Sequence, residues 1–457
     1  MDNRLAALKR LIADLAPKLD LDLAIRLWDG DAVPLGPRWS GDLALAIHDP
    51  AAITRLLRRP RLPTLIDLLA EGKLDIEGGT LLDIAARRGG RGTKGLARQV
   101  NKLAAVRALL PFLSGSGGAD PRHAYAGAQK ARHEQGRDDQ GQVQFHYDLS
   151  NEFYALFLDP EMVYSCAYYP EWDADLATAQ QAKLEMICRK LRLASGERFL
   201  DIGCGWGGLV CHAAQHHGVR AHGVTLSQAQ FDFTTAKVKR LGLEERVTIE
   251  LRDFRSLHAI EFDKIASIGM FEHVGLDNRD GYFAHIKSLL RPRGIYLHHA
   301  IARPMKRSER EFRKKRPEFA ALVNYIFPGG ELDHIGGTTD AMERNGFEIH
   351  DTEGWREHYG RTCRLWTENL QRNRAAAEAE VGAAKTRIWL LYLAGCALAF
   401  ERGSVNIFQT VATKRARGAS GLPPTRGDLY ARPILREAGA TTPLAESHDE
   451  AAPASTT

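Results

Sequence analysis

The sequence predicts an α/β protein, with a doubly wound, mostly parallel sheet and a smaller N-terminal α+β domain. Its 457 residues exceed one ordinary domain, so two globular parts with tails are expected. From residue 199 onward, short apolar strands alternate with helical stretches, which is typical of a parallel sheet with right-handed crossovers. The first strand, Phe199–Ile202, runs into the glycine-packed turn Gly203–Gly208, and the helical stretch Leu209–His216 follows.

The N-terminal domain is assigned to residues 1–114. Residues 3–16 have helical periodicity, and strands are predicted over Leu21–Trp28 and Leu43–Ile47. Two further helices are predicted over Ala51–Leu57 and Leu65–Glu71. These elements make a small mixed domain of ordinary size.

A basic stretch ends this domain. Arg87–Arg107 contains basic residues and no acid. On a helical wheel Lys94, Arg98 and Lys102 share one face, and apolar residues share the other: Leu96, Val100, Leu103 and Leu110. Two interpretations stay open, a basic amphipathic helix on an anionic lipid surface and a domain-packing helix with solvated charges.

Residues 115–141 are rich in glycine and charge, which indicates a linker, or a lid that orders on binding. Residues 416–457 are interpreted as a largely disordered tail, since Thr441–Thr457 is polar and poor in bulky apolar residues.

The second domain is assigned to residues 142–415. Its predicted elements after the glycine turn are Arg220–Val224, Ser227–Leu241, Val247–Leu251, Lys264–Ile268, Arg279–Leu290, Gly294–Ala300, Met342–Asn345, Phe347–Thr352 and a helical region from Arg361 to about Phe400. Strands and helices alternate along this list, as a parallel sheet requires.

Composition excludes several classes of protein. The net charge of +5 does not by itself imply a nucleic-acid partner. The six cysteines show no zinc-ligand spacing, so no metal is predicted and the thiols are expected to be reduced in a cytosolic protein. The most apolar run, Ile388–Phe400, is too short to span a bilayer, so any membrane contact is expected to be peripheral.

The glycine turn predicts a nucleotide-type ligand at the carboxyl end of the first strand. Thr225 follows the second strand, where an NAD site would place an acid, and Gln228 or Gln230 could meet a ribose hydroxyl. Asp253 follows the third strand and could meet an adenine amine, or could equally cap a helix.

Two polar pairs end the next strands. Glu272 and His273 follow the fourth strand, and His298 and His299 end the fifth. Together a carboxylate and an imidazole could hold a small ion or move a proton, although each alone is typical of packing. No nucleophile elbow or P-loop lysine is present, which argues against a hydrolase or a kinase. The residues alone thus predict an α/β enzyme with an adenosine ligand, and leave its reaction open.

Six motifs carry a family resemblance: Gln144–Tyr154, Tyr164–Tyr168, Leu200–Gly208, Thr225–Gln230, Phe271–Gly275 and Ile326–Gly330. In this order they resemble the cyclopropane fatty acid synthase family of S-adenosylmethionine-dependent methyltransferases, over about residues 143–408. Leu74–Gly78 is similar to the N-terminal lipid-binding domain of the bacterial phospholipid enzymes. The resemblance implies a class I methyltransferase, Rossmann-like sheet.

The resemblance also implies a reaction. A methyl group from S-adenosylmethionine goes to a cis double bond of a phospholipid acyl chain, and the carbocation loses a proton to bound bicarbonate and closes to a cyclopropane. The implied bicarbonate ligands are the side chains of Glu272, His299 and Tyr359 and the main chain of Cys166 and Ile301. Without the resemblance, Tyr359 would be interpreted as a core residue.

Cofactor residues follow from the same resemblance. They are Tyr164, Ser165, Asp201, Gly203, Gly205, Thr225, Gln230 and Asp253. Among them Tyr164, Ser165 and the glycines would meet the methionine portion.

The sequence departs from the family pattern at two places. Ala300 stands where a threonine is typical, and Asp333 and His334 stand where Pro-Ser is frequent. These changes resemble branches that end in a methylene- or methyl-branched chain, and the titratable pair could redirect the leaving proton. The product is therefore left open between a cyclopropane and a branched chain.

The expected partner is an unsaturated phospholipid bilayer, contacted peripherally through Arg87–Arg107 at the inner face of the membrane. A homo-oligomer is possible, and no nucleic acid is expected. The alternatives are an enzyme that methylates a small soluble molecule and a non-catalytic lipid-binding protein.

Overall fold

The computed structural model describes residues 3–87, 102–113, 149–314, 326 and 330–431. The predictions for residues 88–101, for the linker at 115–141 and for the tail beyond 431 lie outside the described residues.

The N-terminal domain packs helices on a four-stranded sheet. Its helices are Asn3–Leu19 (α1), Ala51–Arg58 (α2), Leu62–Ala70 (α3), Leu81–Arg87 (α4) and Lys102–Leu109 (α5). Its strands are Ala24–Arg26 (β1), Ala32–Pro34 (β2), Ala44–Ile47 (β3) and Leu74–Glu77 (β4), in the order β2-β1-β3-β4. The α+β prediction is confirmed, but β2, β4 and α4 were not predicted because each is too short for a clear apolar period.

The second domain carries a seven-stranded sheet between helices. Its strands are Arg198–Ile202 (β5), Arg220–Thr225 (β6), Val247–Leu251 (β7), Phe262–Ile268 (β8), Leu290–Ala302 (β9), Phe347–Gly354 (β10) and Asn406–Lys414 (β11). Its helices are Asn151–Ala155 (α6), Leu176–Leu191 (α7), Gly208–His217 (α8), Gln228–Arg240 (α9), Arg279–Leu289 (α10), Glu309–Phe312 (α11), Ile335–Arg344 (α12), Arg356–Arg372 (α13), Arg374–Val381 (α14), Ala383–Glu401 (α15) and Gly427–Tyr430 (α16).

The strand order is β10-β11-β9-β8-β5-β6-β7. β5 to β9 pair in parallel, whereas β11 is antiparallel to both of its neighbours. The predicted mostly parallel, doubly wound sheet is confirmed, and β11 was not predicted. The chain winds from β5 towards β7 on one side and returns through β8 on the other, so a crevice opens at the carboxyl ends of β5 and β8.

The predicted helical region from Arg361 to Phe400 is three helices. α13 ends at Arg372, and Gly382, with φ of +84°, separates α14 from α15. Helix α15, Ala383–Glu401, is longer than the apolar run Ile388–Phe400 that was considered in the sequence. By length and composition alone it could cross a membrane. In the structure it is a core helix, because Trp389, Leu393 and Ala397 are buried.

The two domains make direct contact. Asp75 of β4 pairs with Arg374 at 2.9 Å and with Arg387 at 3.3 Å. Leu391 of α15 packs against the buried N-terminal cluster that contains Leu69. Helix α15 therefore belongs to the cores of both domains.

Residues 416–431 contradict the predicted start of the tail. Leu429 is buried, and Asp428 accepts a hydrogen bond of 2.8 Å from Arg192 at the end of α7. This segment packs on the second domain because α16 supplies an apolar contact and an ion pair together.

Candidate active site

The glycine turn after β5 holds its backbone in the left-handed region. Gly203, Gly205 and Gly207 have φ of +78°, +56° and +78°. A Cβ on Gly207 would lie 2.4 Å from Cγ2 of Thr234, whereas one on Gly205 would meet nothing within 4 Å. Gly207 thus permits close packing of α9, and Gly205 leaves open space beside the turn.

A cleft of about 520 Å³ lies at this edge of the sheet. Five of the predicted cofactor residues line it: Gly203, Gly205, Thr225, Gln230 and Asp253. The Thr225 hydroxyl donates to Oε1 of Gln230 at 2.8 Å, which orients the amide at the cleft. His273 also lines this cleft.

The helix-cap interpretation of Asp253 is confirmed, and its contact with an adenine amine stays a prediction. Its carboxylate lines the cleft and also accepts a hydrogen bond of 2.9 Å from the Arg255 N–H, capping a short 3-10 helix. Burial alone would raise the pKa of Asp253, but the hydrogen bonds from Arg255 outweigh it and hold the pKa below its ordinary value. The carboxylate is therefore ionised at neutral pH.

A second cavity of about 80 Å³ adjoins the cleft and shares Gly203, Gly205 and Gln230 with it. The other predicted residues along it are Tyr164, Ser165 and Asp201. Its wall also contains Lys183, whose ammonium donates to the Ser165 hydroxyl at 2.9 Å.

Lys183 is a site residue that the sequence interpretation missed. Burial lowers its pKa to about 8 and raises the pKa of Asp201 to about 7, and each charge favours the other. A lysine among the mostly apolar residues of the buried face of α7 was the available signal, since an uncompensated buried charge is costly.

A third cavity, of about 60 Å³, shares Tyr164 and Ser165 with the second. Four of the predicted catalytic residues line it: Glu272, His299, Ile301 and Tyr359. The rest of its wall is largely apolar or aromatic, from Trp366, Tyr392, Leu393, Cys396, Phe400 and Ile407 among others. The three cavities therefore adjoin one another, from the glycine turn to a small reaction cavity.

Glu272 presents one free oxygen to this reaction cavity. It is 3% exposed, and its Oε1 accepts a hydrogen bond of 2.7 Å from the Ile301 N–H. Its Oε2 has no hydrogen-bond partner among the described residues. Burial raises the pKa of Glu272 to about 7, so the carboxyl can gain or lose a proton near neutral pH.

The tautomer of His299 is fixed by a neighbouring strand. Its Nδ1 lies 2.9 Å from Nε2 of Gln409, and Oε1 of Gln409 accepts a hydrogen bond of 2.7 Å from Lys190. Because the lysine holds the amide oxygen, the amide nitrogen must donate to Nδ1, and the ring proton of neutral His299 resides on Nε2. Nε2 has no partner among the described residues, and burial holds the pKa of His299 well below its ordinary value.

The fifth predicted residue, Cys166, is fully buried but is not part of the described lining of the reaction cavity. Its thiol lies 3.3 Å from the Ala167 carbonyl and 3.8 Å from that of Trp355. The assigned roles of Cys166 and Ile301 in anion binding stay predictions, and the Ile301 N–H is already engaged by Glu272.

The family departures lie away from the reaction cavity. Along β9, His299 and Ile301 face the cavity, whereas Ala300 belongs to the core cluster on the other face of the sheet. His298 also faces that side, with Nδ1 at 3.0 Å from the Tyr296 hydroxyl. The idea that His298 joins the site is therefore wrong.

Asp333 and His334 have structural partners. The Asp333 carboxylate accepts hydrogen bonds of 3.1 Å from Arg279, and Nδ1 of His334 accepts one of 3.0 Å from the Gly337 N–H at the start of α12. Neither residue is part of the described lining of the reaction cavity. These partners give both residues a structural role, and the expectation that the pair lies near the acyl site and redirects a proton stays a prediction.

We expect Glu272→Gln to stabilise the protein at alkaline pH. The pKa of the carboxyl rises from 4.5 to about 7 on folding, so the unfolded chain loses its proton first and stability falls as pH rises through that window. Urea unfolding at pH 8 should give a free energy of unfolding higher by about 1–3 kcal/mol in the variant. The difference should vanish near pH 4, and equal stabilities at pH 8 would contradict the raised pKa.

The chain is similar in sequence to a known family of enzymes. The family model of mycolic acid cyclopropane synthetase matches residues 134–410. A "Probable fatty acid methyltransferase" of Pseudomonas putida is 36% identical over 92% of this chain and 100% of its own length. The cyclopropane-fatty-acyl-phospholipid synthase of Escherichia coli is 38% identical over 59% of this chain and 66% of its own length.

The fold is also similar to solved structures of cyclopropane synthases. The cyclopropane synthase MmaA2 from Mycobacterium tuberculosis superposes with a TM-score of 0.58 at 31% identity, covering 62% of this chain and all of that one. A mycolic acid cyclopropane synthase complexed with SAH and CTAB superposes with a TM-score of 0.57 at 33% identity over the same shares.

Proposed function

Because the chain belongs to the mycolic acid cyclopropane synthetase family of S-adenosylmethionine-dependent methyltransferases, we propose that it methylates the cis double bond of unsaturated phospholipid acyl chains and closes a cyclopropane ring. We further propose that bicarbonate in the reaction cavity takes the proton that leaves.

One observation carries the proposal. Two buried polar atoms, Oε2 of Glu272 and Nε2 of His299, lack partners among the described residues and belong to side chains that line the same small cavity. A buried donor or acceptor without a partner costs free energy, so such a pair indicates a missing polar ligand. The cavity of about 60 Å³ suits a small anion that accepts from His299 and donates its hydroxyl to Glu272.

The remaining walls suit an alkene and a cation. When bound, S-adenosylmethionine supplies the electrophilic methyl group and bicarbonate supplies a proton acceptor. Tyr164 and Ser165 border both the cofactor side and the reaction cavity, so they position the methyl donor against the acyl chain. Aromatic faces such as Trp366 and Phe400 exclude water and stabilise positive charge on the acyl carbon. Loss of a proton from the added methyl group then closes the ring.

The test is mass spectrometry of lipids after incubation of the full chain with S-adenosylmethionine and monounsaturated phospholipid vesicles. We expect acyl chains that gain one CH2 and resist mild catalytic hydrogenation. If acyl chains that gain one CH2 take up hydrogen, the product is a branched olefin and not a cyclopropane. Turnover of a soluble substrate without vesicles, or no methyl transfer at all, would overturn the phospholipid proposal.

We also propose that helix α5 brings the enzyme to the membrane. Phe112 and Ala108 are buried against the N-terminal domain. The opposite side exposes large apolar side chains, at 66% for Leu103, 57% for Val106 and 59% for Leu110. An exposed apolar stripe next to a basic segment favours the lipid-surface interpretation over solvated packing.

Vesicle sedimentation tests this contact with two variants. Charge reversal of Lys94, Arg98 and Lys102 should weaken binding to anionic phospholipid vesicles at least tenfold at low salt, with a smaller effect at high salt. Val106→Asp with Leu110→Asp should weaken binding at both salt concentrations, because it removes apolar insertion. The control is Leu251→Asp, an exposed apolar residue of the second domain. Binding unchanged in both variants would support the packing interpretation.

A further inference from the structure

Two helices bring four metal-ligand side chains together away from the reaction cavity. Helix α7 supplies Glu185 and Cys188, and helix α8 supplies His212 and His217. Sγ of Cys188 and one nitrogen of each histidine lie within 4.8 Å of one another. Oε2 of Glu185 lies 3.3 Å from Nε2 of His212 and 3.1 Å from Nε2 of His217. We call these four residues the helix-end cluster.

We propose that the helix-end cluster binds one zinc ion as a closed structural site. Zinc takes thiolate, imidazole and carboxylate ligands in a tetrahedron, with bonds of about 2.0–2.3 Å. Neighbouring ligand atoms in such a tetrahedron are about 3.3–3.6 Å apart. The distance of 3.3 Å from Glu185 to His212 matches this edge and that of 3.1 Å to His217 is slightly shorter, and the thiol has to approach by at most about 1.5 Å, from the 4.8 Å limit.

The surroundings of the helix-end cluster suit a cation. His217 is the last residue of α8 and His212 lies one turn and a half before it, where the negative end of the helix dipole lies. The side chains of Glu185, His212 and His217 are 12%, 15% and 16% exposed, so a ligand there is largely shielded from water. Nε of Arg189 donates to Oε1 of Glu185 at 2.8 Å, which turns Oε2 towards the histidines.

A hydrogen-bond network alone is the competing interpretation. It accounts for Glu185 between two imidazoles and beside Arg189. It treats Cys188 as a buried core side chain, although its thiol lies within reach of both histidines. The helix-end cluster could not be recognised in the sequence, which predicts no metal, because its members come from separate helices and lack a short Cys-His spacing.

A metal here would tie together the two helices that position the cofactor cavities. Helix α8 begins at the glycine turn, and α7 carries Lys183, which donates to Ser165. Zinc would therefore act on the stability of this region and not on a chemical step, so the inference does not depend on the proposed reaction.

The experiment titrates the metal-stripped 457-residue chain with Zn²⁺ against a chromophoric chelator. We expect one equivalent bound with submicromolar affinity, weakened at least tenfold in His212→Gln and in His217→Gln. Co²⁺ should give the visible absorption of a tetrahedral site and a near-ultraviolet thiolate band, with the thiolate band lost in Cys188→Ser. His222→Gln is the matched control, because His222 pairs with Glu250 at 2.8 Å outside the helix-end cluster.

Circular dichroism establishes that each variant is folded. If Cys188→Ser does not fold, His212→Gln and His217→Gln still test zinc binding, because these histidines are only partly buried. Absence of zinc binding, or binding that His212→Gln and His217→Gln leave unchanged, would overturn the proposal and leave the hydrogen-bond network. Tetrahedral cobalt without a thiolate band would overturn the role of Cys188.

Discussion

Glu272→Gln should lower kcat by about 10²–10⁴-fold while leaving S-adenosylmethionine affinity within a factor of two or three. The amide keeps the shape of the carboxyl and can still accept the Ile301 N–H, but it cannot take a proton. Glu272 lines the reaction cavity and not the cleft that contains Gly205 and Thr225, so cofactor binding should persist. Single-turnover kinetics on vesicles and calorimetry with the cofactor measure the two quantities separately.

The matched control is Glu161→Gln, a carboxylate beside the glycine turn that pairs with Lys237 outside the reaction cavity. It should keep wild-type kcat. Because the pKa of Glu272 is about 7, wild-type activity should rise with pH through neutrality, and the Gln variant should lose that rise. Full turnover in Glu272→Gln would remove this residue from the anion site.

Gln409→Leu should lower kcat by about 10–100-fold with little change in the KM for S-adenosylmethionine. Gln409 is the direct cross-strand neighbour of His299. Without its amide, Nδ1 of His299 loses the donor that keeps it unprotonated, and the ring can move its proton away from Nε2. Gln409 is thus a positioning residue that acts through His299.

Nitrogen-15 NMR of the histidine ring gives the decisive readout. The wild type should show the tautomer protonated at Nε2, and Gln409→Leu should show a mixture. The control is Thr410→Val, which is buried on the same strand and faces the other side of the sheet. A lower kcat with an unchanged tautomer would mean that Gln409 acts only through packing.

The parallel part of the sheet could be predicted, because the residues that indicate each strand and turn lie close together in the sequence. The apolar strand before Gly203 and the glycine turn lie within ten residues of each other, and the following strands keep the same alternation with helices. The motif residues Glu272 and His299 could also be placed, because Glu272 follows β8 and His299 pairs with Ile268, the last residue of β8, at the same edge of the sheet.

The residues that orient the site side chains, such as Gln409, could not be predicted, because their contacts join segments that are far apart in the chain. Gln409 is 110 residues from His299 in the chain, and β11 inserts antiparallel between β9 and β10. A glutamine between apolar residues of β11 does not show in the sequence which neighbour its amide meets. The pairing of Asp333 with Arg279 was equally hidden in the sequence, since the two residues lie 54 positions apart.

Helix α15 gives the reaction cavity a wall that also belongs to the N-terminal domain. Tyr392 and Cys396 line the cavity, while Leu391, one residue away, packs with the N-terminal cluster. Arg387 on the same helix holds Asp75 of β4. A chimaera that exchanges the N-terminal domain must therefore also exchange the matching side of α15, or the reaction cavity would change shape.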